Sequence, residues 1–294
     1  MITYFQAIVI GLLQGVTELV PISSLGHSVI LPELFGWHDL VRAQSADESF
    51  YLAFLVALHV ATALALLIHY REIWGRIVRG FFSVVRKRRI DSPDERLAML
   101  LIVGTIPVGV TGLAFEHLLR TVFAKPAAAS VFLIINGCIL FLGELLRRRV
   151  TNAPIAADGE VEPVGRQLES LEFKDAAIIG ASQTVALFAG ISRSGVTMVG
   201  GLLRGLNHED AARFGFLLAT PVIFAAGVYK IPDLAGSLGD GIRGQALAGG
   251  VAAFIAAYGA VRFLERYFER RNLVPFAVYC VVIGAVSLAI NLAS

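Results

Sequence analysis

Residues 14–28 read QGVTELVPISSLGHS, and they break an apolar stretch that otherwise runs from about 4 to 35. Gln14 and Glu18 stand four apart, so they share one helix face. The turn Pro21-Ile22-Ser23-Ser24 stops that helix, and Gly26 and His27 open the next. A second apolar stretch, about 175–205, is interrupted in the same way by residues 183–197, QTVALFAGISRSGVT. A continuous lipid-facing helix does not carry Gly, Ser and a charge at its centre. Irregular backbone is tolerated at membrane depth only where it is buried in protein or lines a cavity. Both stretches are therefore expected to be re-entrant helix–loop–helix hairpins.

Around these hairpins the chain is made for lipid. Of its 294 residues 56% are hydrophobic and 16% charged, against roughly a quarter charged in soluble domains. Six windows, about 52–70, 97–115, 128–146, 211–229, 245–263 and 273–292, are apolar and long enough to cross a bilayer. The expected fold is an all-α polytopic membrane protein with six full spans and two re-entrant hairpins. Cys138 and Cys280 lie inside apolar windows, which argues against a disulfide framework. The opening MITYFQAIVIGLLQG has no basic n-region and no small-x-small cleavage site, so it reads as part of the mature fold.

Basic residues set the expected orientation. Arg76, Arg79, Arg86, Lys87, Arg88 and Arg89 lie in the loop 71–96. Arg147, Arg148 and Arg149 follow the third span, and Arg262, Arg266, Arg270 and Arg271 follow the fifth. All three groups should face the cytoplasm. The segments 36–50, 116–127 and 230–243 are poorer in Lys and Arg and fall outside. The first hairpin then enters from the outer face and the second from the cytoplasm. Each half is one hairpin plus three spans, and an odd number of crossings inverts the second half. The two hairpins align without gaps, with identities Gln14/Gln183, Ile22/Ile191, Ser23/Ser192 and Gly26/Gly195. Downstream, Phe54-Leu55-Val56-Ala57 echoes Phe216-Leu217-Leu218-Ala219. The expected organisation is a first repeat over 1–150, a polar, Pro/Gly-punctuated cytoplasmic linker over 151–173 and an inverted repeat over 174–294 within one membrane domain.

A carboxylate inside an apolar hairpin needs a partner or water, and is by default functional. That singles out Glu18. Ser23 can be the N-cap of the returning helix, while Ser24 and His27 are candidate nucleophiles or acid–base groups. In the second hairpin Gly190, Ser192, Arg193, Ser194 and Thr197 precede and open a helix. Hydroxyls, a forked guanidinium and helix N-terminal N–H groups make an anion site suited to phosphate. Hairpins entering from opposite faces can meet near the midplane, where Arg193 would compensate Glu18. His59 and His69 read as packing or interfacial residues, and Glu144 as a boundary partner of the Arg147–Arg149 run. Arg86–Arg89 reads as an orientation signal that also contacts anionic lipid. No nucleotide-binding loop or zinc ligand set is present, and no nucleic-acid partner is expected.

At these two motifs the sequence resembles the undecaprenyl pyrophosphate phosphatase family, the bacitracin-resistance membrane phosphatases. The family pattern (E/Q)xxxE followed by PxSSxGH stands here as Gln14, Glu18, Pro21, Ser23, Ser24, Gly26 and His27. The pattern PGxSRSGxT stands as Gly190, Ser192, Arg193, Ser194, Gly195 and Thr197, with Ala189 in place of the usual proline. The likeness runs on through Gly104-Thr105-Ile106-Pro107 and the FLLATP stretch before Val222. It implies hydrolysis of undecaprenyl pyrophosphate to the monophosphate, recycling the lipid carrier of peptidoglycan synthesis. It also implies a divalent cation, Mg²⁺ or Ca²⁺, for which Glu18 would be a ligand. Gln14 stands where many members have Glu, which leaves one acid in the motif.

The expected roles are Glu18, Ser24, His27 and Arg193 in catalysis and Gln14, Ser23, Gly190, Ser192, Ser194 and Thr197 in substrate binding. Two assignments stay open at this point. Ser24 attacks the terminal phosphorus with Glu18 or His27 as its base, or His27 is itself the nucleophile. The expected setting is a bacterial inner membrane, with the site open to the outer face. The partners are the polyprenyl pyrophosphate and membrane lipids, with room for a homodimer. A lipid-phosphate flippase using the same inverted-repeat cavity is the competing reading.

Overall fold

The computed structural model describes residues 2–40, 50–123, 125–151, 165–236 and 239–293. Most of the 151–173 linker and of the 36–50 segment lies outside the described residues. The helices are α1 (Tyr4–Leu19), α2 (Ser24–Leu34), α3 (Phe50–His69), α4 (Arg71–Lys87), α5 (Pro93–Phe123) and α6 (Pro126–Thr151). They continue with α7 (Phe173–Ser182), α8 (Arg193–Leu203), α9 (His208–Ala235), α10 (Arg243–Phe268) and α11 (Val274–Ala293). Six of them, α3, α5, α6, α9, α10 and α11, are long and apolar enough to cross a membrane, and they coincide with the six expected windows. Large apolar side chains such as Val110, Leu113, Leu247 and Ile255 point outward, as lipid-facing positions do.

The short helices pair up. α1 and α2 are joined at 20–23, and α7 and α8 through a 3₁₀ turn at Gln183–Leu187. At about 1.5 Å per residue the 16 residues of α1 reach roughly 24 Å, short of the roughly 30 Å hydrocarbon core. α1 packs chiefly along α10 and α7 along α5, so each hairpin leans on a span of the other half. Glycine permits both approaches. A Cβ at Gly11 would strike the carbonyl oxygen of Gly249, and one at Gly180 that of Gly104. Gly11 and Gly180 are equivalent in the gap-free hairpin alignment, three residues before Gln14 and Gln183.

Polar ties identify the two ends of the bundle. His69 Nε2 lies 2.7 Å from Glu265, joining the ends of α3 and α10. Glu144 near the end of α6 meets His208 at the start of α9 (2.5 Å) and accepts from Leu273 N just before α11 (2.9 Å). Arg96 at the start of α5 donates to the Leu171 carbonyl (2.7 Å). These joints gather all three basic groups at one end. α7 starts from this end, where Asp175 binds Arg204 and Arg166. α1 starts from the other, with Tyr4 against Gly244 at the beginning of α10. The close approach at Gly249 falls about one and a half turns past the start of α10, roughly 9 Å, and that at Gly104 about three turns into α5, roughly 16 Å. The two hairpins thus start from opposite ends of the bundle.

Two regions differ from the sequence expectation. The basic loop 71–96 is mostly helix, because its apolar residues recur at helical spacing among the arginines. Trp74, Ile77, Val78, Phe81 and Phe82 of α4 line an apolar groove of about 670 Å³ with α5. The end of the linker is also ordered against the bundle: Arg166 N donates to the Gly205 carbonyl and the Arg166 carbonyl accepts from Asn207 N, beside Leu206, and Leu168 and Leu171 are buried.

Candidate functional site

The hairpin tips meet, and much of their contact is hydrogen-bonded. Ser23 and Ser192 each cap the returning helix, accepting from Gly26 N (3.2 Å) and Gly195 N (3.1 Å). Ser23 Oγ also accepts from Gly190 N of the other hairpin (3.2 Å). Ser23 holds a positive φ of 71°, which costs a non-glycine residue about 1–3 kcal/mol and persists only where surroundings enforce it. Gly190 has φ 110° and packs against the Ala129 carbonyl of α6, so no side chain fits there. Asn136 on α6, fully buried, bridges the tips: it donates to the Pro21 carbonyl (3.0 Å) and accepts from Ser192 N (2.9 Å).

Between the tips sits the Glu18 carboxylate, 6% exposed. Oε1 accepts from Arg193 NH2 at 2.6 Å. Oε2 accepts from Ser24 Oγ at 2.5 Å and Gln14 Nε2 at 3.1 Å, and His59 Nε2 lies 3.2 Å away. The sequence-derived pairing of Glu18 with Arg193 is therefore present, and Ser24 is aimed at the same carboxylate. Two polar atoms of this cluster, Arg193 NH1 and Gln14 Oε1, are buried with no hydrogen-bond partner among the described residues. One is a cationic donor suited to a phosphoryl oxygen; the other is an acceptor suited to a water or a hard cation.

His27 is not part of this cluster. Its Nδ1 lies 2.7 Å from the Ser23 carbonyl, which can only accept, so Nδ1 carries hydrogen. Nε2 then accepts from the Tyr279 hydroxyl at 2.9 Å, and the two rings stack. Both nitrogens are occupied, and neither faces Ser24 or Glu18. Ser192 and Ser194 hydroxyls bind each other (3.0 Å), and Ser194 reaches the Val20 carbonyl (3.4 Å). Thr197 bonds back to the Arg193 carbonyl (2.8 Å) inside its own helix. These three shape the tip rather than presenting free donors.

A cavity of about 10 Å³ beside Gln14, Ser24 and His27 runs along the first hairpin toward Trp37, away from the basic end. It has room for about one water. Two residues that contact the tips and Glu18 were not legible as such, His59, read as packing, and Asn136, nor was Tyr279, the partner of His27. They come from α3, α6 and α11, where sequence shows only isolated polar residues in apolar windows.

Among the described residues no group of three His, Cys, Asp or Glu side chains could hold an ion. Glu18 is engaged by four neighbours, and within this cluster Gln14 Oε1 is a buried oxygen with no hydrogen-bond partner among the described residues.

The comparisons with known proteins are consistent with one another. Residues 7–286 match the family model described as bacitracin resistance protein BacA. The chain is 56% identical to an undecaprenyl-diphosphatase of Mycolicibacterium paratuberculosis over 98% of its own length and 97% of the relative's. It is 51% identical to undecaprenyl-diphosphatase 2 of Frankia alni, covering 97% and 96%. It is 44% identical to undecaprenyl-diphosphatase 2 of Burkholderia orbicola, covering 95% and 94%.

Proposed function

This chain belongs to the bacitracin resistance protein BacA family, and from that premise we infer that it is a membrane phosphatase that hydrolyses undecaprenyl diphosphate. The products are undecaprenyl phosphate and inorganic phosphate, which recycles the lipid carrier of cell-wall synthesis and confers bacitracin resistance. The observation that carries the reading is the convergence of Ser24 and Arg193, from opposite hairpins, on Glu18. The lipid-phosphate flippase is not favoured, since the relatives are named for hydrolysis.

The geometry supports the following roles. Ser24 Oγ attacks the terminal phosphorus, and its proton passes to Glu18 Oε2, 2.5 Å away. The bond to the bridging oxygen breaks, its electrons stay on that oxygen, and the lipid leaves as the monophosphate. Water then attacks that phosphorus, the bond from phosphorus to Ser24 Oγ breaks, Glu18 returns its proton to Oγ, and both protons of the water leave with the inorganic phosphate. Arg193 NH1 holds a phosphoryl oxygen and stabilises the charge that develops there. His27 supports the turn from behind through Ser23 and Tyr279. A divalent cation, Mg²⁺ or Ca²⁺, would neutralise phosphate charge; it fits as the diphosphate's own counter-ion, with Gln14 Oε1 free to reach it.

The two hairpins are re-entrant and the halves 1–150 and 174–294 are inverted repeats, a reading supported by the crossed packing of α1 on α10 and α7 on α5. The basic end faces the cytoplasm of the inner membrane and the site opens to the outer face, as the cavity beside Ser24 suggests. A homodimer would show as a doubled mass in detergent.

The test is phosphate release from farnesyl or undecaprenyl diphosphate in detergent with Mg²⁺ or Ca²⁺. Glu18→Ala and Arg193→Ala should each lower kcat by about 100-fold or more. Rapid quenching should trap phosphate on Ser24 as an acid-stable ester. Acid-labile phosphohistidine at His27 would overturn the assignment, and no release with any cation would overturn the function.

A further inference from the structure

His59 stands in the middle of the span α3, and its ring is held at both nitrogens. Nδ1 lies 2.8 Å from the Leu55 carbonyl one turn earlier. A carbonyl only accepts, so Nδ1 carries hydrogen. Nε2 lies 3.2 Å from Glu18 Oε2. An imidazole with hydrogen only on Nδ1 and an ionised carboxylate would set two lone pairs against each other. A hydrogen on Nε2 or on Oε2 removes that opposition at the 3.2 Å contact, and the Leu55 carbonyl limits how far the ring can turn. The charged groups acting on His59 are Glu18 and Arg193.

The consequence concerns the orientation of one carboxylate. Arg193 holds Oε1 from the second hairpin; Gln14 and Ser24 reach Oε2 from the first. Gln14 is on the same helix face as Glu18 and cannot stop the carboxylate from swinging away with its own helix. His59 holds Oε2 from a different element, one that packs against α1 and belongs to the scaffold of spans.

We propose that His59 is a positioning residue for hydrolysis: anchored by the Leu55 carbonyl, it hydrogen-bonds Glu18 Oε2 and keeps that oxygen on the Ser24 hydroxyl. It touches neither substrate nor phosphorus, and it acts only through Glu18. The inference rests on the proposed role of Glu18 as the base for Ser24.

The experiment compares His59→Gln, His59→Leu and Glu18→Gln in detergent, with kcat, KM and melting temperature measured for each. A glutamine keeps an N–H donor within reach of Glu18; a leucine fills the space without one. His59→Leu should lower kcat about 30-fold or more with KM within about 3-fold, because the loss concerns the chemical step. His59→Gln should recover kcat to within about 5-fold of the unsubstituted enzyme. Full kcat in a folded His59→Leu protein overturns the proposal. So does equal impairment of the Gln and Leu variants at unchanged melting temperature, which would show that the donor is not what matters. Should His59→Leu not fold, the comparison of His59→Gln with His59→Asn, whose shorter amide falls short of Glu18, carries the same decision. Full activity in Glu18→Gln would instead overturn the underlying role of Glu18, a result separable from any His59 outcome.

Discussion

Glu18 receives four neighbours on two oxygens, and the consequences for single residues follow from which of them could be replaced. Arg193 uses NH2 for Glu18 and leaves NH1 free. A lysine offers one compact charge on a single nitrogen and lacks the planar fork that sets two diverging donors on Glu18 and a phosphoryl oxygen. Arg193→Lys should therefore lose about 10–100-fold in kcat/KM while keeping the fold, a difference steady-state phosphate release would detect. The same reasoning separates His27 from the chemistry. Tyr279→Phe removes only the donor to Nε2 and should cost about 1 kcal/mol or less, with turnover within about threefold. A loss of activity comparable to that of Ser24→Ala would place His27 back among the reacting groups.

Elements, rather than residues, explain why the tips stay joined. Asn136→Leu would leave the Pro21 carbonyl and Ser192 N–H buried and unpaired, a cost of about 2 kcal/mol or more. Thermal unfolding in detergent should show it, together with reduced turnover because the hairpins no longer hold register. Gly180→Leu should be worse, since its side chain meets the backbone of Gly104 and α7 cannot retreat without pulling the second hairpin from α5. At the base of α7, Asp175 is buried; burial alone would raise its pKa, but the Arg204 hydrogen bond, the Glu172 N–H and Arg166 lower it below the usual carboxylate range. A depressed folded pKa means stability present above the unfolded value and lost as pH falls through the folded one. The anchorage of the second hairpin should weaken below about pH 4, and Asp175→Asn should remove that dependence along with some stability.

For the whole molecule, the two ends carry different chemistry. α4 lies at the basic end with its arginines on one side and Phe81, Phe82 and Trp74 on the groove side, as expected of a helix in the plane of a membrane surface. In a protein with both native cysteines replaced, a cysteine at Arg88 should react with an impermeant maleimide only in inverted vesicles. One at Gly36 should react only in right-side-out cells. The opposite pattern would reverse the orientation.

The six spans and the two interruptions were legible because hydropathy and breaks act locally along the chain. Glu18 and Arg193 were legible for the same reason, since a charge in an apolar hairpin has few places to go. His59, Asn136 and Tyr279 were not, because each becomes part of the site only through contacts with residues 41, 56 and 115, and 252 positions away. His27 shows the converse: its motif position suggested chemistry, and the fold turned it to Tyr279. Local pattern determined which six segments are long and apolar enough to cross a membrane and where charged residues interrupt the apolar stretches. The packing of α3, α6 and α11 around the tips decided which polar atoms face one another, because hydrogen bonds depend on distances that sequence spacing does not set across separate helices.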